Sequence, residues 1–188
     1  EVNFFNRRLQ ESLVQQVAEH RYCAVLFTAS SLYPYALALQ KSGATHCSTP
    51  PAILIDFMDV DSDKWQQYAT QSQWPMRVLY KREAHLVRQL EKKCIDIADK
   101  VFLIAKAEIA MLNKTVTTSS KVVELGNGLD ADFFMPNTGV DKQKIVNNNV
   151  LFTGVMDYKP NIDAVIWFAK EVWPTVLSRF PDATFTIA

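Results

Sequence analysis

The chain has 188 residues, 48% of them hydrophobic, and its twenty basic side chains balance twenty acidic ones to a formal charge of zero. That much apolar material fills a packed core and excludes general disorder, while the balanced charge gives no overall pull toward nucleic acid or anionic lipid, so any such binding has to be local. The three cysteines, Cys23, Cys47 and Cys94, stand far apart without a CxxC pair, which argues against a disulfide framework or zinc site and fits a reducing cytoplasm.

In chain order, Phe4, Phe5, Leu9, Leu13, Val14, Val17 and Ala18 predict an amphipathic helix reaching His20. The opening EVNFFNRRLQ lacks the layout of a signal peptide, and no apolar run approaches the roughly 18 residues of a spanning helix. YCAVLF (Tyr22 to Phe27) predicts a strand, followed by the turn TASS and the helix YPYALALQ. AILIDF is a second strand that runs into an aspartate cluster, and DKWQQYA a short helix. Met76 to Ala98 reads as a long helix with Leu79, Leu86, Leu90, Cys94 and Ile97 on one stripe. VFLIA (Val101 to Ala105), KAEIAMLNK and KVVEL (Lys121 to Leu125) continue as strand, helix and strand. Near-continuous apolar strands alternating with helices predict an α/β fold, a Rossmann-like parallel sheet covered on both faces, over residues 1–136. Glycine, proline and asparagine then mark a linker at 137–148. VLFTG, PNIDAVIWFAKEVWPTVLSRF and ATFTIA supply one β-α-β over 149–188, short of the ~100 residues of a complete doubly wound domain.

The stretch ILIDFMDVDSDKW places Asp56, Asp59, Asp61 and Asp63 behind the second strand. An EF-hand beginning at Asp59 requires glycine at its sixth position and glutamate at its twelfth, and the chain has Lys64 and Thr70 there. A phosphatase-type DxD would use Asp59 and Asp61, and a chelating DxD would hold Mg²⁺ or Mn²⁺ with the same pair. The plain structural alternative is that Asp61 or Ser62 caps the following helix. Asp59 and Asp61 nonetheless fall at the carboxyl end of a parallel strand, where open α/β sheets bind ligands. Ser30 and Ser31 fall at the corresponding end of the first strand, as an acceptor contact or as turn formers.

DFMDVDSDKWQQYA, YKREAHLVRQLEKKCIDIADKVFLIAKAEIAML, NGLDADFFMP and VLFTGVMDYKPNIDAVIWFAKEVWP, in that order, together resemble the family 4 glycosyltransferases of the GT-B fold. More narrowly they resemble the sugar transferases of bacterial exopolysaccharide and PEP-CTERM systems, over Tyr22 to Ala188. The resemblance implies two Rossmann-like domains, acceptor-side first and nucleotide-sugar-binding second, with transfer between them. Configuration would be retained, with a nucleotide sugar as co-substrate and no metal cofactor. The acceptor would be a glycan or lipid-linked molecule, with no nucleic acid partner, and the enzyme would be cytoplasmic, peripheral at the inner membrane.

By the same resemblance Asp59 and Asp61 carry catalysis, and Ser31, Lys64, Trp65, Arg82 and Glu83 meet acceptor or sugar. Glu83 corresponds to a glutamate that precedes the helix leading to the third strand. Asn127, Gly128, Gly154, Lys159 and Asn161 fall on the donor side, with Asn127 and Gly128 suited to a tight positive-φ turn and Phe133 and Phe134 to pinning the hinge. The chain departs from the family at Val155 and Pro160, where arginine and lysine usually grip the diphosphate, and at Ala105, where a serine usually ends the strand. The glycine-rich first strand and the later paired-glutamate motif are not within these residues, so the chain reads as an internal fragment expected to be inactive alone.

Bland assignments cover the rest. His20, His46 and His85 share no ligand spacing with cysteine or carboxylate. There is no GxSxG elbow or P-loop. Trp65 also fits a core-facing position, Lys81 to Glu83 a solvated face, and Phe4, Phe5, Arg7 and Arg8 either an interfacial or a buried helix. A GT-B nucleotide-sugar epimerase and a non-catalytic Rossmann-like binding module are the competing functions.

Overall fold

The computed structural model describes residues 5–116, 120–135 and 148–188. The chain divides into two compact units, Glu1–Leu129 and Asp130–Ala188. The predicted linker, apart from Asn148, lies outside the described residues.

In the first unit, helix α1 (Arg7–Glu19) starts where the Asn6 Oδ1 accepts hydrogen bonds from the backbone N–H groups of Arg8 and Leu9. Strand β1 (Ala24–Phe27) leads through a 3₁₀ turn (Ser30–Leu32) into α2 (Tyr33–Ser42), which opens with Pro34 and ends on Gly43 at φ 61°. Strand β2 (Ala52–Met58), α3 (Asp61–Gln71) and α4 (Met76–Ile97) follow. Then come β3 (Lys100–Leu103), α5 (Lys106–Asn113) and β4 (Val122–Glu124). Ala105 is the N-cap of α5 and offers it no side-chain acceptor.

The four strands lie side by side in chain order and all run parallel. Crossovers between parallel strands are right-handed, so strands added always in the same direction carry all their helices on one face. The burial pattern follows from this. Phe27, Ile55 and Val101 pair in one row and are buried, as are Ile53, Phe57 and Leu103. On the opposite face the row Leu26, Leu54, Lys100 and the row Asp56, Phe102, Val123 remain half-buried or exposed, Leu26 at 52%. Among the described residues the sheet is thus covered on one face, not on both as its apolar strands predict. The architecture is α/β and compatible with a Rossmann-like layer.

The α3–α4 pair is held by a ring cluster. Trp65 lies 5.7 Å from Tyr80 and 5.9 Å from Tyr68 between centroids, and Tyr68 lies 5.9 Å from Tyr80. Buried Ala69 and Ala84 continue the two facing stripes and let the helix backbones approach. The buried side of α4 is consequently Ala84, Leu90, Glu91, Cys94 and Ile95. The predicted stripe is corrected in its first half, because Leu79 and Leu86 turn outward and are 45% and 41% exposed.

In the second unit, β5 (Asn149–Phe152) pairs in parallel with β6 (Thr184–Ile187). They are joined by α6 (Lys159–Trp167), a π turn (Phe168–Val172) and α7 (Trp173–Arg179), where the sequence predicts one helix. The break has a covalent cause. Pro174 has no N–H to donate and its ring would strike the carbonyl one turn back, and a widened turn just before it relieves both. Phe168, Trp173 and Phe185 form this unit's ring cluster, with centroids 4.9 to 6.1 Å apart.

One-faced packing separates two apolar strand residues by their cost of truncation. Ile55→Ala is expected to lose about 2–5 kcal/mol and Leu26→Ala under about 1 kcal/mol, read from the midpoints of urea unfolding. Equal losses would mean that both faces are packed.

Candidate functional site

The carboxyl end of β2 does not simply run out into solvent. Its register against β3 slips between Asp56 and Met58, and Met58 takes φ 61°, a left-handed conformation that a bulky side chain rarely adopts. The Asp59 N–H donates to the Phe57 carbonyl at 2.8 Å, closing the rare strained form of γ-turn. Three bonds hold it. The Met58 N–H donates to Asp56 Oδ1 at 3.0 Å, the Ile104 N–H donates to the Met58 carbonyl at 3.0 Å, and the Val60 N–H donates to Glu108 Oε2 at 2.9 Å. Asp59 stands exposed on this turn.

Helix α3 starts immediately afterwards with Val60 as its N-cap, so the predicted capping by Asp61 or Ser62 is corrected. Its first N–H groups are satisfied from other helices, Val60 by Glu108 of α5 and Ser62 by Glu91 of α4, whose Oε1 accepts at 2.9 Å. Both carboxylates sit where the helix dipole is positive. Glu91 is fully buried. Burial foremost, and the charge of Asp61 after it, push its carboxyl above the ordinary glutamate value of 4.5, while the bond from the Ser62 N–H and the Arg88 charge pull it down. Among the described residues Glu91 Oε2, Ser62 Oγ and Arg88 Nε are buried and find no hydrogen-bond partner.

Above this anchor lies a cavity of about 770 Å³, within the usual range for small-molecule sites. It brings together Ser31 from the turn after β1, Asp61, Lys64 and Trp65 from α3, and Arg82 and Glu83 from α4. Leu86, Val87 and Leu90 form an apolar strip along it, and Lys93 closes the far end, roughly 16 Å from Arg82 along the helix axis. The ion pairs inside are loose or exposed, Lys64 to Asp61 at 3.8 Å and Arg82 to Glu83 at 3.0 Å, so these groups exchange partners at little cost. Trp65 presents a half-buried ring to the cavity while meeting Tyr68 edge-on and Tyr80 at a tilt, which combines the two roles the sequence leaves open for it. Glu83 lies inside α4, not ahead of it as the resemblance implies.

Asp59 is not among the residues lining this cavity. Asn127 and Gly128 are exposed and neither has positive φ, so the predicted tight turn is corrected to an open strand exit that continues from the Leu125 N–H bond to the Leu103 carbonyl. Phe133 and Phe134 pack edge-to-face on each other, centroids 4.9 Å apart, and are exposed, while the linker they are expected to pin, apart from Asn148, lies outside the described residues. Among the described residues no group of three or more His, Cys, Asp or Glu is arranged to hold a metal ion.

In the second unit Gly154 and Asn161 form one device. A Cβ on Gly154 would come 2.9 Å from Asn161 Nδ2 and 3.0 Å from the Phe152 ring, and that same Nδ2 donates to the Val155 carbonyl at 3.0 Å. The space over the glycine is filled by a side chain of the chain itself. Lys159 Nζ bonds Asp163 Oδ2 at 2.6 Å on the exposed side of α6.

Glu91 and Lys93 are the site residues that the sequence reading passes over. Glu91 had a signal, since it follows Val87 by four and precedes Cys94 by three, a lone carboxylate on the buried stripe. No family model, curated protein or solved structure matches the chain.

Two measurements follow from this geometry. Gly154→Ala is expected to destabilise the second unit by about 1–3 kcal/mol, and Asn161→Ala in the same chain to recover part of that loss, the two changes being non-additive in a double-mutant cycle. Strict additivity would mean that the glycine is required for another reason. For Glu91, a carboxyl raised above 4.5 holds its proton more tightly folded than unfolded, so its contribution is fullest below 4.5 and is lost as pH climbs through the raised value. Glu91→Gln is therefore expected to be more stable than the parent near neutral pH, the gap closing as pH falls toward 4.5. A gap independent of pH would contradict the burial.

Proposed function

We propose that the chain belongs to a retaining GT-B glycosyltransferase that moves a sugar from a nucleotide donor to a glycan or lipid-linked acceptor in exopolysaccharide synthesis. The observation that carries this reading is the meeting of Ser31, Asp61, Lys64, Trp65, Arg82 and Glu83 around one cavity at the carboxyl rim of a parallel sheet. These residues are scattered over more than fifty positions of sequence and come from three separate elements.

The chemistry suits a sugar alcohol. The apolar ring of Trp65 offers a platform for the C–H face of a pyranose, and Asp61 accepts from an acceptor hydroxyl once its 3.8 Å contact with Lys64 opens. Lys64, Arg82 and Lys93 supply positive charge along the cavity. Asp59, held exposed by a strained turn, is assigned to the developing oxocarbenium-like centre, which a fixed carboxylate stabilises without reorganising. The donor falls to the second unit. There Gly154 and Asn161 shape the start of α6, and Lys159 exchanges its exposed Asp163 partner for a diphosphate oxygen. No metal is assigned a step.

The test supplies the protein as its gene encodes it with a panel of nucleotide sugars and a membrane glycolipid extract, with nucleoside diphosphate release and sugar incorporation both followed. Asp61→Asn is expected to cut kcat by about 10² or more, Trp65→Ala to raise KM, and a chelator to leave the rate unchanged, each at an unaltered unfolding midpoint. Loss of transfer on chelation, or full activity in Asp61→Asn, would overturn the assignment.

A further inference from the structure

Outside the cavity, the most unusual surface of the first unit is the tip of the α3–α4 hairpin. Residues 73–79 are exposed without interruption. They include Trp74 at 81%, Val78 at 59%, Leu79 at 45% and Met76 at 41% exposure. Isolated exposed apolar side chains are ordinary, whereas four within six residues, led by a tryptophan, form a patch that water does not stabilise. Its charge is one-signed. From Gln71 to Arg82 the chain carries Arg77, Lys81 and Arg82, all exposed, and no acidic residue, and among the described residues Arg82 alone of the three pairs with a carboxylate, that of Glu83 at 3.0 Å. The zero net charge of the whole conceals this local bias.

An apolar tip flanked by cations matches the layered chemistry of a bilayer surface. Tryptophan favours the headgroup level, aliphatic side chains reach the acyl boundary, and lysine and arginine stay with the phosphates. We propose that this tip, Trp74 to Arg82, is a docking surface for anionic lipid bilayers. No helix among the described residues is long and apolar enough to cross one, and the tip needs only to seat in the interface. Its place in the fold links it to the cavity. Arg82 belongs to both, and Leu86 carries the exposed apolar side of α4 from the tip onto the cavity wall. The inference stands on the tip alone and holds whichever reaction the cavity performs.

The amino-terminal helix, which the sequence also offers for this role, is tied in part to Tyr35, while Phe5, Arg7, Arg8 and Leu9 stay exposed and Phe4 lies outside the described residues. Phe5 packs on the Tyr35 ring at 5.7 Å, the Asn6 N–H donates to the Tyr35 hydroxyl at 2.6 Å, and Arg7 pairs with Glu11 at 3.0 Å.

The experiment is co-sedimentation of the chain with vesicles of phosphatidylcholine containing phosphatidylglycerol, against vesicles of phosphatidylcholine alone, at low and high salt. Binding is expected to the anionic vesicles, to fall with salt, and to drop about fivefold for each cation removed in Arg77→Gln and Lys81→Gln. Trp74→Ser with Leu79→Ser is expected to abolish it, with the unfolding midpoint unchanged because both side chains are exposed. Arg8→Gln is expected to leave it intact. Failure to bind anionic vesicles overturns the proposal, as does undiminished binding by the double serine variant. A tip that instead captures a soluble protein while ignoring vesicles overturns it as well.

Discussion

The first unit depends on the direction in which its strands are added. Because β1 to β4 enter the sheet in chain order and every crossover has the same hand, the helices are stacked along one face and cannot share the work of covering both. That one constraint sets the buried row through Phe27, Ile55 and Val101. It also brings α3 and α4 side by side, so that a carboxylate on α4 reaches the start of α3. The cavity exists because the turn after β1 and the turn after β2 open on the same rim, against the same long helix.

At that rim the structure holds two costly features together. Met58 occupies a left-handed conformation, and Glu91 is buried with one oxygen unpartnered. Neither stabilises the fold by itself. Both act on the same seven-residue stretch, from Asp56 to Ser62, and with Glu108 they fix the path of the backbone between strand and helix. Asp59 and Asp61 therefore project from a segment tied at both ends.

The elements were legible because their periods are strong. The alternating strand and helix segments match the observed elements in order and type. The relations between elements were less so. An apolar strand looks the same whether one face or two are covered, which is why Leu26 and Phe102 misled. A heptad-like run of leucines on α4 outweighed a single glutamate in the sequence, yet Ala84 and Glu91, not Leu79 and Leu86, face inward, because the partner helix approaches over small residues and brings a donor for the carboxylate. Of the expected site residues, those on α3 and α4 converge, while Asn127 and Gly128 carry turn chemistry that the backbone does not use. A sequence reports each residue's capacity, and only the packing selects which capacity is exercised.

The Gly154–Asn161 contact has a consequence for variation. Because one residue's missing side chain is the other's seat, neither position drifts without cost alone: a larger residue at 154 presses on Asn161 and on the Phe152 ring, and a shortened 161 relieves the first contact while leaving the second. The two sites are in effect a single hereditary unit split across a strand end and a helix start, and they travel together or the turn between them is rebuilt.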